Sequence, residues 1–146
     1  MTRSAAVIRR ALVSDGADLA RLSTQLGYPM SPEEAQVRFR EIDENSDQVI
    51  FVAESGRRAI AWIQVEVSRV FESRRQAEIA GLVVDEAFRS GGLGGRLVAE
   101  AERWARERGC HVVRVRSNVI RERAHAFYRR AGYGEIKTQR VFEKRL

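Results

Sequence analysis

The chain has 146 residues, enough for one domain with one sizeable core and too few for two independent ones. Its 26 basic against 20 acidic residues leave a net charge of +6, which favours an anionic partner such as a nucleotide cofactor, nucleic acid or a membrane surface without marking a site. The single cysteine, Cys110, excludes an intrachain disulfide, and with no apolar run of about 18 residues and no signal-type start a cytoplasmic protein is expected.

Ser14 and Asp15 offer a helix cap, Leu19, Leu22 and Leu26 follow on one helical face, and Gly27 stands where helices commonly end, so a first helix is predicted over about 14–26. In the stretch SPEE, Ser31 caps, Pro32 suits the first helical position and Glu34 completes a capping box; Ala35, Phe39 and Ile42 form the stripe of a second helix to about 43. Residues 49–54 and 59–67 are rich in β-branched and aromatic side chains and flank SGRR, a hairpin. A third strand spans 77–84, where Gly81 suggests a bulge or a close approach.

After a glycine-rich loop, Leu93, Leu97, Val98, Ala101, Trp104 and Ala105 trace a helix that Gly109 ends. A short strand follows over 111–116, then a helix over 121–131 with Ala124, Phe127, Tyr128 and Ala131 at helical spacing before Gly132. The tail, 133–146, reads as one or two closing strands whose edges allow a homodimer. The order β-α-α-β-β-β-α-β-α-β, without repeat or linker, predicts an α/β fold of α+β type in a single domain, 1–146. An antiparallel front half meets a strand-helix-strand unit whose strands are parallel.

The loop RSGGLGGR, residues 89–96, joins a strand to a helix start, where free backbone N–H groups and the positive end of the helix dipole make a site for phosphate. It is no Walker loop, because no lysine follows its glycines. A Rossmann fingerprint fails too: counting from Gly92 and Gly94, the third position is Leu97, and an antiparallel hairpin precedes it.

With Arg89 the loop spells Arg-x-x-Gly-x-Gly (Arg89, Gly92, Gly94), and SNVIRERAHAFYRRAGY follows at 117–133. Together the two motifs resemble the GCN5-related N-acetyltransferase (GNAT) family. Asn118, Ala124, Phe127, Tyr128, Gly132 and Tyr133 match the family's second pattern in order and spacing. The resemblance covers about 77–133 by motif and the rest by element order.

It implies a mixed, mostly antiparallel sheet with a central splayed parallel strand pair, about four helices, and acetyl-CoA bound where the strands 77–84 and 111–116 diverge. Strands that part leave backbone groups that a pantetheine arm can pair with. Leu82, Val83 and Val84 would contact it through backbone, and the N–H of Val84 or a neighbour would face the oxyanion of a tetrahedral intermediate. Arg89, Ser90, Gly91, Gly92, Leu93, Gly94 and Gly95 would cradle the pyrophosphate. Family members often carry a basic residue where this chain has Gly91, so Arg96 or Arg130 is the candidate for that charge. Asn118, Ala124, Phe127 and Tyr128 complete the expected cofactor set.

Acetyl transfer poses two proton problems. An alkylammonium of pKa about 10.4 must lose a proton before it attacks, and the leaving thiolate, similar to a cysteine of about 8.5, departs more readily when protonated. Tyr128 matches the family's acid and stays protonated at neutral pH; a core aromatic on the Ala124, Phe127, Ala131 face is the alternative. Glu78, opening the strand that lines the cleft, is the candidate base, with Glu66 on the adjacent strand or a water relay as alternatives and a merely solvated glutamate as the other. Under strict alternation Glu78 shares a face with Ala80, Leu82 and Val84, and a bulge at Gly81 would reverse that.

Cys110 reads as a small buried hydrophobe, Trp62 and Trp104 as core, and His111 and His125 have no metal-ligand company, so no metal is expected. Glu33, Glu34, Glu41, Asp43 and Glu44 make the second helix acidic, which could attract a cationic amine, although an acidic helix face is usually just solvated. The segments LGYP and KTQRVFEKRL look like small bacterial aminoglycoside-like acetyltransferases, so the expected acceptor is a primary amine of a small molecule, reached by direct transfer in a ternary complex. A protein N-terminus or lysine is the second reading, and a non-catalytic acyl-CoA-binding module the third. The arginines are dispersed and no aromatic-basic motif appears, so neither nucleic acid nor membrane is expected as a partner.

Overall fold

Five strands form one sheet in the order β1 (Val7–Arg10), β2 (Gln48–Ser55), β3 (Arg58–Ser68), β4 (Gln76–Val84) and β5 (Val113–Val115). The first four pair antiparallel, and β5 runs parallel to β4. The computed structural model describes residues 6–117 and 120–146. These divide into two compact units, one ending at Val115 and the other running from Arg116 to Leu146. The first unit holds the sheet with α1 (Gly16–Leu26), α2 (Pro32–Asp43) and α3 (Leu93–Glu107); the second holds α4 (Glu122–Arg130). Among the described residues no helix is long and apolar enough to cross a membrane.

The helices form where their end signals stand. The Ser31 hydroxyl accepts the Glu34 N–H at 3.1 Å at the start of α2, and Gly27, Gly109 and Gly132 take φ of 104°, 77° and 95° just beyond α1, α3 and α4. The hairpin turns through Gly56 and Arg57, both at positive φ, with Ser55 facing Arg58.

Asp15 does not cap α1 as its position suggests. Its carboxylate accepts the Leu12 N–H at 2.7 Å and two bonds of 2.9 Å from Arg9, so it closes a short 3-10 turn, Val13–Asp15, and pins it to β1. The expected closing strands are also absent: among the described residues, 134–146 carries none and is exposed throughout.

One face of the sheet packs on α1 and α2, where Leu19, Ala20, Ala35, Phe39, Val52 and Ala59 form a cluster joined by Met30, Ile50 and Trp62. On the other side α3 buries Leu93, Leu97, Val98, Ala101 and Trp104 with Ile63 and Val65. Trp104 is core as expected, whereas Trp62 is half-buried.

The bulge falls one residue before Gly81. Ile79 faces Val65 and Gly81 faces Gln64, which leaves Ala80 as the extra residue. It reverses the alternation: Glu78, opposite Glu66, shares its face with Gly81 and Val83, while Leu82 and Val84 turn to the face of Ile63 and Ala61.

Candidate active site

The β4–β5 ladder has three rungs, Ala77–Val113, Glu78–Arg114 and Ile79–Val115. Beyond Ile79, β4 continues through the bulge to Val84 with no β5 partner among the described residues, although its other edge stays paired as Leu82–Ile63, Val83–Trp62 and Val84–Ala61. Among the described residues the edge without a strand partner therefore begins at the bulge. Backbone groups of such an edge can pair with an extended, amide-bearing ligand.

From that edge the chain turns directly into the glycine loop. The Asp85 N–H donates to the Ile60 carbonyl at 2.8 Å, its carboxylate accepts the Ala87 N–H at 3.0 Å, and a 3-10 turn spans Glu86–Phe88. Arg89 donates from Nε to the Val84 carbonyl at 3.2 Å, and Ser90 and Gly92 take φ of 69° and 81°. Gly92 caps α3 without a side chain, and no acidic residue lies in the helix's first turn. The Arg96 N–H reaches the Gly92 carbonyl at 3.1 Å, so Leu93, Gly94 and Gly95 are left with N–H groups that the helix cannot pair. Those donors, at the positive end of a 15-residue helix, suit a pyrophosphate.

The side chains divide the expected cofactor set. Leu93 is 1% exposed and anchors the helix start, so only its backbone is offered. Arg96 donates to the Ala6 carbonyl at 2.9 Å, which ties its guanidinium to the chain itself. Arg89 is exposed and cationic. A Cβ on Gly92 or Gly95 would meet nothing within 4 Å among the described residues.

A polar row crosses four strands on the Glu78 face: Gln48, Glu66, Glu78 and Arg114 stand opposite one another in register. Gln48 Nε2 donates to Glu66 Oε2 at 3.3 Å. The two candidate bases are thus direct cross-strand neighbours, level with the last rungs of the β4–β5 ladder.

In the second unit, Ala124, Phe127 and Tyr128 are half-buried on α4 and Arg130 is exposed. The Tyr128 ring meets Phe127 edge-on at 5.1 Å and Tyr133 at 5.8 Å, and the Tyr133 N–H closes on the Tyr128 carbonyl at 2.9 Å. Burial pushes the Tyr128 phenol above its ordinary value, with Arg121 opposing. Asn118 lies outside the described residues. Burial likewise raises the Cys110 thiol, against the pull of Arg75 and Arg69, which suits an inert apolar role. Among the described residues no three His, Cys, Asp or Glu side chains are grouped to hold a metal.

Sequence reasoning missed the support beneath the loop. Arg21 Nη1 on α1 meets Asp85 Oδ2 at 2.5 Å, and Gln25 Oε1 accepts the Glu86 N–H at 3.0 Å. Asp85 carried a local signal as the cap of DEAF; its partner, 64 residues away, carried none.

Residues 16–133 match the acetyltransferase (GNAT) family. The chain is 36% identical over 117 residues to glucosamine 6-phosphate N-acetyltransferase 1 of Oryza sativa subsp. japonica, covering 76% of this chain and 68% of that one. It is 25% identical over 150 residues to aminoglycoside N(6')-acetyltransferase type 1 of Stenotrophomonas maltophilia, covering 100% and 96%. An uncharacterized N-acetyltransferase of Methanocaldococcus jannaschii is 28% identical over 99 residues, 66% of this chain, and the match spans 44% of that longer protein. The crystal structure of aminoglycoside 6'-N-acetyltransferase AAC(6')-Ig from Acinetobacter haemolyticus shares the fold, with a TM-score of 0.83 at 22% identity over 96% of this chain and 99% of that one. The chain therefore belongs to the acetyltransferase (GNAT) family, whose members are acyltransferases with acetyl-CoA as cosubstrate.

Proposed function

We propose that this protein transfers the acetyl group of acetyl-CoA to a primary amine of a small molecule, by direct attack in a ternary complex. The observation that carries the reading is the continuity of the open β4 edge with the uncapped start of α3. One extended ligand with amides at one end and a pyrophosphate at the other satisfies both. Gly95 adds support. It sits in a helix, outside the left-handed region, with open space where a methyl would be, so nothing among the described residues requires glycine there. A close-lying ligand would.

In the reaction, the acceptor's ammonium gives a proton to Glu78, to Glu66, or through water to either. The free amine attacks the thioester carbon, and the N–H of Val84 or a neighbour stabilises the oxyanion. The C–S bond then breaks as Tyr128 protonates the leaving thiolate, and the second proton on the acceptor nitrogen passes to the Tyr128 phenolate through water, leaving CoA, the N-acetylated product and Tyr128 restored. The relatives named for glucosamine 6-phosphate and for aminoglycosides favour an amine on a sugar. The paired glutamates favour a cationic acceptor over a phosphorylated one. A homodimer loses the support of tail edge strands, since 134–146 carries no strand among the described residues.

The test is free-thiol release from acetyl-CoA across a panel of amino sugars, polyamines and peptides. Turnover with an amino sugar is expected. Turnover confined to peptides would transfer the assignment to proteins, and binding of acetyl-CoA without turnover on any amine would leave a binding module. Failure of acetyl-CoA to raise the melting temperature would overturn the cofactor site itself.

A further inference from the structure

We infer that Arg21 is a positioning residue for the cofactor loop: with Gln25 it holds the start of that loop so that its N–H groups meet the pyrophosphate. The inference rests on the loop's proposed role and names the residues that set its geometry.

Asp85 is the joint between β4 and the loop, and it is fastened from three sides. Its N–H bonds the Ile60 carbonyl of β3, one carboxylate oxygen accepts the Ala87 N–H of the 3-10 turn, and the other takes Arg21 from α1. The charge-assisted bond is the strongest kind among these. Burial opposes the charge on Asp85, yet the Ala87 N–H and the Arg21 guanidinium outweigh it and hold the carboxyl below its usual range. The next residue is fastened as well, the Glu86 N–H donating to Gln25, one helical turn after Arg21. Two successive loop residues are thus tied to one face of α1.

Arg21 is itself fixed. Its Nη2 donates to the Ala59 carbonyl at 3.0 Å, and the Ala59 N–H donates to Asp18 at 3.0 Å, so α1 grips both backbone groups of one β3 residue. This leaves Arg21 Nε buried without a partner among the described residues, an orientation that costs a hydrogen bond. The arrangement aims the 3-10 turn Glu86–Phe88, which hands over to Arg89 and the left-handed Ser90 and Gly92. A release at Asp85 shifts all of those donors together, whereas the β4 edge upstream keeps its ladder to β3.

The two halves of the ligand should therefore respond differently to loss of the clamp. The test measures the dissociation constants of acetyl-CoA and of S-acetylpantetheine, which lacks the pyrophosphate, for wild type, Arg21→Gln, Arg21→Lys and Asp85→Asn. Arg21→Gln and Asp85→Asn are expected to weaken acetyl-CoA about tenfold and leave S-acetylpantetheine unchanged, with Arg21→Lys recovering part of the loss. Asp85→Asn keeps the shape and the Ala87 acceptor, so it tests the clamp should Arg21→Gln fail to fold. Unchanged acetyl-CoA affinity in the folded variants would overturn the inference, and equal weakening of both ligands would reduce Arg21 to a structural role. Were wild type to bind the two ligands equally, the loop's phosphate role would fall first, and the inference with it.

Discussion

Gly81 lies under the Trp62 ring so closely that a Cβ at position 81 would stand 2.8 Å from Cζ3 and 2.9 Å from Cη2. Gly81 is not in the left-handed region, so backbone strain plays no part and contact with the ring is the whole requirement. Gly81→Ala is expected to cost about 1–3 kcal/mol by overpacking, read from urea unfolding. Adding Trp62→Leu should recover part of that cost, and additive losses in the double variant would contradict the contact.

Gly95→Ala should separate stability from binding. In a helix, with space for the methyl, alanine is expected to raise stability by about 1 kcal/mol. The same methyl stands where the backbone is proposed to approach the pyrophosphate, so acetyl-CoA affinity should fall severalfold. Calorimetry showing a more stable protein with undiminished affinity would move the ligand away from this turn.

Asp15 predicts how stability responds to acid. Burial works against its ionisation, but the Arg9 guanidinium and the Leu12 N–H prevail and keep its carboxyl below the ordinary range. A depressed folded-state pKa gives stability that is present above the unfolded value, about 3.9, and is lost as pH falls through the folded one. At pH 7 Asp15→Asn should therefore be less stable by about 2 kcal/mol. The gap between variant and wild type should close below pH 4 in urea titrations, and a gap constant from pH 7 to pH 2 would contradict the assignment.

Tyr128 predicts a flat response in a different quantity. Its phenol lies above the ordinary value, so it remains the protonated, donating form throughout pH 6–9. Tyr128→Phe is expected to lower kcat by about a hundredfold, by the same factor across that window. A wild-type alkaline limb that vanished in the variant would contradict this sign.

The cross-strand neighbours Glu66 and Glu78 can be told apart by how kcat and KM divide. Glu78→Gln should slow turnover at least tenfold, while Glu66→Gln should chiefly raise the acceptor's KM. Reversed effects would assign the base to Glu66.

What the sequence made legible was local. Ser31, Gly27, Gly109 and Gly132 announce helix ends because cap chemistry is settled within a few residues. The hairpin around Gly56 and the glycine loop at 89–96 are legible for the same reason. The bulge was less so, since Gly81 marked it but the extra residue is Ala80, and register depends on the partner strand. Asp15 looks like a cap in sequence and is drawn to Arg9 by β1, which no spacing within the helix encodes. The Arg21–Asp85 bond joins residues 64 positions apart and leaves no periodic trace. The tail's apolar Val141 and Phe142 suggest a strand, yet both are exposed.

The three-rung ladder also bears on how long the protein survives. A ligand that occupies the open β4 edge binds the folded chain and not the unfolded one, so it adds about 2.7 kcal/mol of stability at a hundredfold excess over its dissociation constant. The same excess lowers the unfolded fraction by about a hundredfold, and with it the supply of chain to proteases. On the proposed binding of acetyl-CoA at this edge, that protection would lapse when the cosubstrate runs low, and the short β4–β5 ladder would couple the protein's persistence to its supply.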